Sequence, residues 1–517
     1  MKRFFLTLFS FVFANICFGQ SVVVYPSPAA NFAESSALFQ VNVTQNGVTK
    51  QSFVYVSTAG TDSYTLAGRS SPEWGLQGGN RFHFTTFSFS GTITINVVKL
   101  NSTATTATIR PNTLGLGAIK TVSQGANKGV SFTLSKPAKV SVEFNDDPSF
   151  KDALMIFADG QQTAADVPNM AAANVLQVTA TTNLASIPAS KTIVCFNPGV
   201  YNIGVWNIPA TVKQVYVAGG AYVIGYINRN VPGDAAGNSI LINGRGILSD
   251  RGYAFRYPAS TSDQNSNDWY NHINLNGGSI TIEGVTIIES SAVNLYITGD
   301  NVNISNVNIN GFRFNNDGIV SHGSGWLINN CFLRVNDDGL VPYASNVTIS
   351  NCVFWQLQGS IIELGWTPHS INNFNITNCE VLHDGAQFTD NDCGFINAMN
   401  LSATSSSAAI NNFNVSNIHF DTPILRLLDI RADRNNVNSA VHQLVWVCRN
   451  FKFTNIYLSQ TGAATYPLMY LHGYDGYHPA VDFVFQNLYL NNVKVTPAKM
   501  NDSTFFNKRG VFGITVK

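Results

Sequence analysis

The sequence predicts an all-β protein in which a right-handed parallel β-helix follows an antiparallel β-sandwich. The first observation is a repeat: short runs of alternating apolar residues end in an anchoring residue, usually Asn, followed by an apolar residue. Five successive anchoring residues are spaced by 22, 24, 21 and 27 positions, namely Gly284, Asn306, Asn330, Asn351 and Asn378. The second observation is a strand period of two with no helical pattern, and the third is an N-terminal part that lacks the repeat. Strands that recur every 20 to 30 residues or so are typical of a stacked solenoid.

The N-terminus has the pattern of a signal peptide. Two basic residues follow Met1, residues 4–18 form an apolar run too short to span a bilayer, and Cys17 and Gly19 are small. We therefore expect residues 1–19 to be removed and the protein to be secreted or periplasmic. A lipidated Cys17 is the alternative, which the bulky residue before it disfavours. No later segment has the length and hydropathy of a membrane span.

Residues 20–188 are predicted to form the β-sandwich. Short alternating strands, such as residues 81–89 and 138–144, are separated there by clusters of Gly, Pro, Asn and Ser. A stretch rich in Thr and Ala, residues 178–190, leads into the β-helix, which is predicted over residues 189–517. An open solenoid end exposes unpaired strand edges, so we expect the sandwich to cap that end. Binding of a glycan by the sandwich itself is the alternative.

The anchoring Asn residues are interpreted as structural. Later ones lie 32 to 39 positions apart, which indicates coils with an inserted loop; they are Asn417, Asn455 and Asn487. An Asn side chain in a turn can bond both backbone groups and the neighbouring Asn, so these residues should stack in columns.

Six cysteines remain after the predicted cleavage. Cys331, Cys352 and Cys379 each follow an anchoring Asn, so they should form an interior column of small apolar side chains. Disulfides between coils and a metal site are the alternatives. Neither a Cys pair separated by two residues nor a His cluster accompanies them, which argues against metal.

Composition restricts the class of partner. Charged residues are 12% of the chain, and 30 Lys and Arg balance 30 Asp and Glu. A neutral chain offers neither the basic patch of a nucleic-acid binder nor the polybasic face of a membrane-surface protein. An uncharged partner is therefore favoured, and a neutral polysaccharide fits.

Three acidic residues are the candidate catalytic centre. Aligning Asp317-Gly-Ile-Val with Asp338-Gly-Leu-Val keeps the anchoring Asn in register, each 13 residues after its Asp. Asp317 and Asp338 should then stack in adjacent coils, about 4.8 Å apart, with Asp337 beside them. Carboxyls this close repel when ionised, which favours keeping one proton among them. Turn chemistry is the alternative for an Asp-Gly pair, but stacking like charges gives a fold no advantage.

Side chains that could contact a substrate surround this centre. The same alignment places His322 over Tyr343, with Glu363 and Trp366 one coil further on. An aromatic ring can cover the apolar face of a sugar while polar groups bond its hydroxyls. We therefore predict Trp366, Glu363, His322 and Tyr343 as substrate-binding residues, with packing as the alternative for His322 and Glu363.

Several motifs resemble a known family. They are Asp-Gly at residues 317–318, Asn-Asp-Asp-Gly-Leu at 336–340, Tyr-Ala-Ser-Asn-Val at 343–347, Ile-Glu-Leu-Gly-Trp-Thr-Pro at 362–368 and Phe-Asn-Pro-Gly-Val-Tyr at 196–201. Together they resemble glycoside hydrolase family 49, the dextranases and isopullulanases, which are distant relatives of the polygalacturonases. The resemblance extends over both predicted domains.

This resemblance implies a β-sandwich, a right-handed β-helix and inverting hydrolysis at three aspartates. By motif position Asp337 would be the general acid, while Asp317 and Asp338 would hold the attacking water. The implied function is a secreted hydrolase of α-glucosidic linkages in a neutral polysaccharide, first of all dextran, on which it would act as an endo-α-1,6-glucanase. We expect a monomer that uses neither cofactor nor metal. One departure concerns the substrate: residues 340–343 lack the basic residue associated with the family.

Other functions stay open at this point. Pullulan is the alternative substrate, and a polysaccharide lyase or a non-catalytic glycan-binding solenoid could use the same fold. Inversion requires an acid and a base on opposite faces of the sugar, with carboxyls about 6.5 to 9.5 Å apart. A flanking Asp337 beside the stacked pair of Asp317 and Asp338 is expected to provide that separation.

Overall fold

The computed structural model describes residues 21–58, 81–148, 152–231, 238–251, 271–312, 316–364, 369–385, 393–398, 408–431, 446–460, 467–472 and 480–517. Strands dominate, and the helical elements of these ranges are a 3-10 turn at Asn112–Leu114 and the short helix α1 at Pro497–Met500. Within the described ranges no helix combines the length and apolar character that a membrane crossing requires. The predicted signal peptide lies outside these ranges and stays a prediction.

The N-terminal part forms two sheets. The first contains β1 Val23–Val24, β4 Val54–Thr58, β5 Arg81–Phe89, β7 Thr106–Arg110, β8 Gly117–Lys120, β11 Ala138–Phe144 and β12 Leu154–Gly160. The second contains β2 Phe39–Gln45, β3 Val48–Ser52, β6 Ile93–Lys99, β9 Val122–Gln124 and β10 Asn127–Leu134. Pairing is antiparallel except between β5 and β12. Apolar side chains of both sheets, such as Val41, Phe87 and Val140, share one buried core, which is the packing predicted for a sandwich.

All further strands belong to one long parallel sheet. They are β13 Val175–Gln177, β14 Ile193–Phe196, β15 Gly199–Asn207, β16 Gln214–Val217, β17 Ala221–Asn230, β18 Ile240–Gly244, β19 Ile247–Ser249, β20 Ile273–Asn276, β21 Ile280–Glu283, β22 Thr286–Ile288, β23 Leu295–Thr298, β24 Asn303–Ser305, β25 Asn308–Asn310, β26 Ile319–Asn329, β27 Phe332–Val335, β28 Leu340–Ser350, β29 Val353–Gln356, β30 Ile362–Glu363, β31 Ile371–Asp384, β32 Ile396–Ala398, β33 Ala408–Pro423, β34 Leu428–Arg431, β35 Trp446–Ser459, β36 Met469–His472, β37 Ala480–Leu490, β38 Val493–Lys494, β39 Phe506–Arg509 and β40 Val511–Val516. The strands pair in parallel with strands of neighbouring coils, except for β38, which forms an antiparallel pair with β37.

This arrangement is the predicted parallel β-helix. Its interior consists of apolar columns along the axis, because the register places like residues over one another in successive coils. One column runs through Ile282, Ile304, Ile328, Ile349, Ile376, Val415, Phe453 and Phe485. The rings of Phe374, Phe413 and Phe451 are stacked with nearly parallel planes and centroids 4.5 and 4.9 Å apart. Such columns turn the sequence repeat into a continuous core.

The anchoring Asn residues stack as predicted. The seven Asn anchors have positive φ values between 53 and 57°. Asn and Gly tolerate this left-handed conformation better than other residues, which is why the turn repeats them. Side-chain amides bond along the column, for example from Nδ2 of Asn330 to Oδ1 of Asn306 over 3.0 Å and from Asn417 to Asn378 over 3.0 Å.

The cysteine column is also confirmed. Cys331, Cys352 and Cys379 are fully buried in the helix interior. The cysteines of the described ranges are free thiols, so the alternative of disulfides between coils is wrong. Burial raises the pKa of the Cys331 thiol well above its ordinary value.

The expected end cap is wrong, because the first sheet covers the flank of the β-helix. Tyr55, Phe82 and Phe157 pack against outward-facing side chains that span many coils; these are Tyr222, Ile247, Ile288, Phe312, Phe332, Val353, Trp355 and Leu382. The Phe332 ring lies 6.1 Å from Phe82 and 5.3 Å from Phe157, centroid to centroid. The flank is apolar and would be exposed without the sheet, and burial of such rings is strongly favourable.

Candidate active site

Register brings two of the three aspartates together. Ile319 pairs with Leu340, and the amide of Gly318 donates to the carbonyl oxygen of Asp338 over 2.8 Å. Asp317 and Asp338 therefore sit side by side, each just before the first residue pair of β26 and β28. The predicted stacking in adjacent coils is the observed one.

Glycine after each aspartate lets these coils approach. A Cβ on Gly318 would lie 2.3 Å from the carbonyl oxygen of Gly339, and one on Gly339 would lie 2.7 Å from that of Ile361. Real Cβ atoms do not come so close to a backbone oxygen. The Asp-Gly pair is thus required by the close stacking that places the carboxylates together.

The three carboxylates form one cluster. One oxygen from each of Asp317, Asp337 and Asp338 lies within 4.8 Å of the other two. Asp338 is 2% and Asp337 7% exposed, whereas Asp317 is half-buried. The amide of Ser360 donates to Oδ1 of Asp338 over 2.8 Å, while Nε2 of Gln356 donates to the carbonyl oxygen of Asp337 over 2.5 Å.

Burial and mutual repulsion alter the acidity of this cluster. Desolvation first, and then the charges of Asp337 and Asp338, raise the pKa of Asp317 well above its ordinary value. Desolvation and the charge of Asp337 likewise raise the pKa of Asp338, against the bond from Ser360. The cluster as a whole therefore holds a proton at a pH where isolated carboxyls are ionised. Such a group can supply a general acid beside a general base.

The separation of about 6.5 to 9.5 Å expected for inversion is one between whole carboxyl groups, and it stays a prediction. The limit of 4.8 Å applies to the nearest oxygens of the three aspartates. These oxygens lie close because the Asp337-Asp338 doublet and the stacked Asp317 occupy neighbouring positions of two touching coils. This compact set of acceptors is also one that could hold a divalent cation.

A column of rings lies on the same coils as the cluster, with His322 and Tyr343 five residues after Asp317 and Asp338. His322 stacks on Tyr343 as predicted, with centroids 4.9 Å apart and planes 7° apart. Tyr296 and His369 extend the column, at 5.2 Å from His322 and 4.6 Å from Tyr343. Because the rings of His322 and Tyr343 cover each other's faces, it is mainly their edges that remain for a ligand. All four are half-buried.

His322 is suited to hydrogen bonding as a neutral ring. Its Nε2 is buried and has no hydrogen-bond partner among the described residues. Burial, and to a lesser extent His369, lower the pKa of His322 below its ordinary value. Nε2 of His369 itself bonds the carbonyl oxygen of Pro342 over 2.9 Å.

The two remaining predicted contacts have different outcomes. Glu363 is fully buried, and its Oε2 accepts a 2.7 Å hydrogen bond from Nδ2 of Asn397. This placement favours the packing interpretation of Glu363. Trp366 lies outside the described residues, so its role stays a prediction.

Arg334, three residues before Asp337, packs among aromatic rings. The guanidinium of Arg334 lies 4.8 Å from the ring centroids of both Phe82 and Phe312 and 5.3 Å from that of Trp355. Burial lowers the pKa of Arg334 to about 9. Arg334 therefore belongs to the contact with the N-terminal sheet rather than to the cluster.

Sequence reasoning did not single out Tyr296, His369 or Asn316. Asn316 is fully buried, and its Nδ2 donates to the carbonyl oxygens of Ser290 and Ala292 over 3.1 and 2.6 Å. Asn316 could have been found from the aligned motifs, in which it lies one coil before Asp337. Tyr296 could have been found from its strand register, since it lies one residue from the position paired with Ile319.

Comparisons with known proteins agree with the fold and the motifs. The chain is 25% identical over 310 residues to a dextranase from Arthrobacter globiformis, a match covering 52% of this chain and 46% of the dextranase. It is 24% identical over 401 residues to an isopullulanase from Aspergillus niger, covering 71% of this chain and 68% of that protein. The chain thus spans about half the length of the dextranase that it matches.

A solved structure shows the same fold along nearly the whole chain. Dex49A from Penicillium minioluteum superposes with a TM-score of 0.69 at 18% identity, covering 96% of each chain. No protein-family profile matches the sequence. Taken with the motifs, these relatives confirm the resemblance: the chain is related to the dextranases and isopullulanases, members of glycoside hydrolase family 49.

Proposed function

We propose that this protein is a glycoside hydrolase that cleaves α-glucosidic linkages in a neutral polysaccharide, with dextran the first substrate to test. The observation that carries the proposal is the cluster of three carboxylates within 4.8 Å on the flank of a parallel β-helix. The names of the curated relatives, dextranase and isopullulanase, support an α-glucan as the substrate class.

The three aspartates divide the work of hydrolysis. Asp337 protonates the oxygen of the leaving sugar, and Asp317 with Asp338 holds and activates the attacking water. Burial and mutual repulsion keep a proton within the coupled cluster, and the proposal places that proton on Asp337, so that the other two carboxylates are ionised and can activate water. This division of roles follows the motif positions.

The ring column is proposed to hold the substrate next to the cluster. The rings of Tyr296, His322, Tyr343 and His369 follow the helix axis, so a chain of sugars lying along the groove would meet their edges in turn. Because Nε2 of His322 is buried, the bond to a sugar hydroxyl is assigned to Nδ1, which can accept or donate depending on the tautomer of the neutral ring. A row of hydrogen-bonding edges without net charge suits a neutral polysaccharide.

The test is release of reducing sugar from dextran, pullulan, other neutral glucans and sulfated galactans. Hydrolysis of an α-glucan is expected, and Asp337→Asn, Asp317→Asn and Asp338→Asn should each reduce it strongly. Asp482→Asn is a matched control, because Asp482 is an exposed residue of the same helix with a φ of 60° that Asn also adopts. If the three cluster variants equal this control in activity, the proposed site is wrong.

Stereochemistry tests the mechanism separately. Family resemblance leads us to propose inversion, so NMR of the first-formed sugar should show the β-anomer from an α-linked substrate. Carboxylates only about 5 to 5.5 Å apart are typical of retaining enzymes. If the α-anomer forms first, configuration is retained, and one of the three aspartates must act as the nucleophile in place of water.

The other function classes make different predictions. A lyase that uses a cation at the three carboxylates would lose activity with EDTA and release unsaturated ends. A glycan-binding solenoid would keep its affinity in Asp337→Asn and release no sugar. The proposed hydrolase should resist EDTA, release saturated products and lose turnover in Asp337→Asn.

A further inference from the structure

A line of buried polar side chains leads from the flank of the β-helix to Asp317. Its members are Asp250, which follows β19, His272, which precedes β20, and Ser290 and Asn294, which lie between β22 and β23. All four are fully buried. Burying a polar group costs free energy unless it is hydrogen-bonded, so these four side chains are expected to bond one another and their neighbours in a defined order.

The donor and the acceptor of each hydrogen bond along this line can be assigned, starting from Asp317. The carbonyl oxygen of Asp317 accepts from both the backbone N–H and Nδ2 of Asn294, over 2.9 and 2.8 Å. The amide oxygen of Asn294 must therefore face the other way, and it accepts from the hydroxyl of Ser290 over 2.6 Å. Since that hydroxyl has one proton, the 2.9 Å contact with Nδ1 of His272 is one in which the imidazole donates.

The far end of the line orients the imidazole. Nε2 of His272 lies 3.2 Å from Oδ1 of Asp250. Oδ2 of Asp250 accepts from the amide and the hydroxyl of Ser291, over 2.9 and 3.3 Å. Because Nδ1 donates to Ser290, Nε2 can face the carboxylate favourably only when it is protonated as well. The ring is then an imidazolium paired with Asp250, and the carboxylate fixes the orientation in which Nδ1 points to Ser290.

A second contact joins the residue before Asp317 to the same loop. Nδ2 of Asn316 donates to the carbonyl oxygens of Ser290 and Ala292, so the residue before Asp317 is tied to the loop that carries the chain. The other two aspartates are held by different groups, the amide of Ser360 and the side chain of Gln356. The line therefore acts on Asp317 and not on its two neighbours.

We propose that Asp250, His272, Ser290 and Asn294 form a positioning chain that fixes Asp317 in the carboxylate cluster. The inference rests on the proposed function, in which Asp317 helps to hold the attacking water. The chain touches no substrate, and its members act through Asp317. A displacement of about 1 Å at a reacting group can cost on the order of a hundredfold in rate.

The experiment is a double-mutant cycle in the full-length chain. Ser290→Ala breaks the line in its middle and should lower kcat on the cleaved glucan by about ten- to a hundredfold, with KM within about twofold. Because water activation is needed whatever the leaving group, an activated aryl glycoside should be slowed to the same extent. In the Asp317→Asn background, assayed on the activated glycoside, Ser290→Ala should cause no further loss. Asn294→Ala, which removes the last side-chain link, should behave in the same way.

A matched control separates positioning from general destabilisation. Ser52 is a buried serine of the N-terminal sheets whose hydroxyl bonds that of Thr85 over 2.7 Å. Ser52→Ala should lower the melting temperature as Ser290→Ala does, while leaving kcat unchanged. If Ser290→Ala and Asn294→Ala keep full kcat, or their losses multiply with that of Asp317→Asn, the positioning chain is refuted. If Asp317→Asn alone keeps full activity, the proposed function fails, and the two failures are thus distinguishable.

Discussion

Replacement of Asn417 tests why the turns repeat asparagine. Asn417 has a φ of 53°, donates to Oδ1 of Asn378 over 3.0 Å and accepts from Nδ2 of Asn455 over 2.9 Å. Alanine at this φ costs about 1 to 2 kcal/mol, and two lost hydrogen bonds cost about 0.5 to 1.5 kcal/mol each. Asn417→Ala should therefore lower the free energy of unfolding by about 2 to 5 kcal/mol.

Glycine separates the two contributions. Asn417→Gly loses the same hydrogen bonds but avoids the left-handed strain. Its more flexible unfolded chain lowers the free energy of unfolding by about 0.4 to 1 kcal/mol. It should be more stable than Asn417→Ala by roughly 1 kcal/mol. Urea unfolding followed by circular dichroism measures both variants, and equal slopes against urea would show that the same surface is exposed.

The control is a column residue in extended backbone. Asn414 lies in β33, and its Nδ2 donates to Oδ1 of Asn375 over 3.0 Å, but its φ is not positive. Glycine weakens strand interiors, so Asn414→Gly should be less stable than Asn414→Ala. The glycine variant should thus be the more stable one at Asn417, and the alanine variant the more stable one at Asn414. The same order at both positions would refute the backbone argument.

Three further predictions concern the site and its support. Asp337→Asn should nearly abolish hydrolysis of the natural glucan but recover part of the rate on a glycoside with a good leaving group, as measured by kcat/KM on both substrates; rescue of Asp338→Asn instead would exchange the two roles. Gly318→Ala should lower kcat by on the order of a hundredfold, because its Cβ would lie 2.3 Å from the Gly339 carbonyl oxygen, whereas Gly160→Ala, with its nearest contact at 3.7 Å, should stay active; equal activities would contradict the close-stacking argument. Burial, opposed by the Thr113 hydrogen bond and reinforced by the charge of Asp421, raises the pKa of Glu380 from 4.5 to about 7. The folded state then binds the proton more tightly than the unfolded chain, so this contribution to stability is lost as pH rises between these values. Glu380→Gln should match the parent in free energy of unfolding near pH 4 and exceed it near pH 8 by at most about 3 kcal/mol, as measured by urea unfolding; a parent as stable as the variant at both pH values would contradict the shift.

The repeat allowed much of the β-helix to be predicted from the sequence. Asp317 and Asp338 are 21 positions apart, and so are Asn330 and Asn351, so one register places both pairs. That equality predicted the carboxylate stack and the stacking of His322 on Tyr343. The physical reason for the Asn itself, a positive φ at every turn, was not evident from the pattern, which showed only the recurrence.

Other features depend on contacts that a repeat does not encode. His272 and Asn294 each occur once, outside the Asn register, and their partners come from different coils. The packing of Phe82 on Phe332 joins segments 250 positions apart, and nothing in either segment alone indicates the other. The buried state of Glu363 likewise depends on Asn397 from the next coil.

The sheet on the flank gives the β-helix two unequal ends. Coils between Tyr222 and Leu382 are braced by aromatic packing, and polar contacts from Arg110 and Asn112 reach as far as Asp421. Among the described residues, the strands from Trp446 onward show neither aromatic packing nor hydrogen bonds with the N-terminal sheets. A stack whose coils touch only their neighbours loses them one at a time from an unsupported end. Amide exchange in the native protein should therefore spread inward from the C-terminal strands, and a protease should shorten the molecule from that side while the braced coils with the carboxylate cluster remain folded.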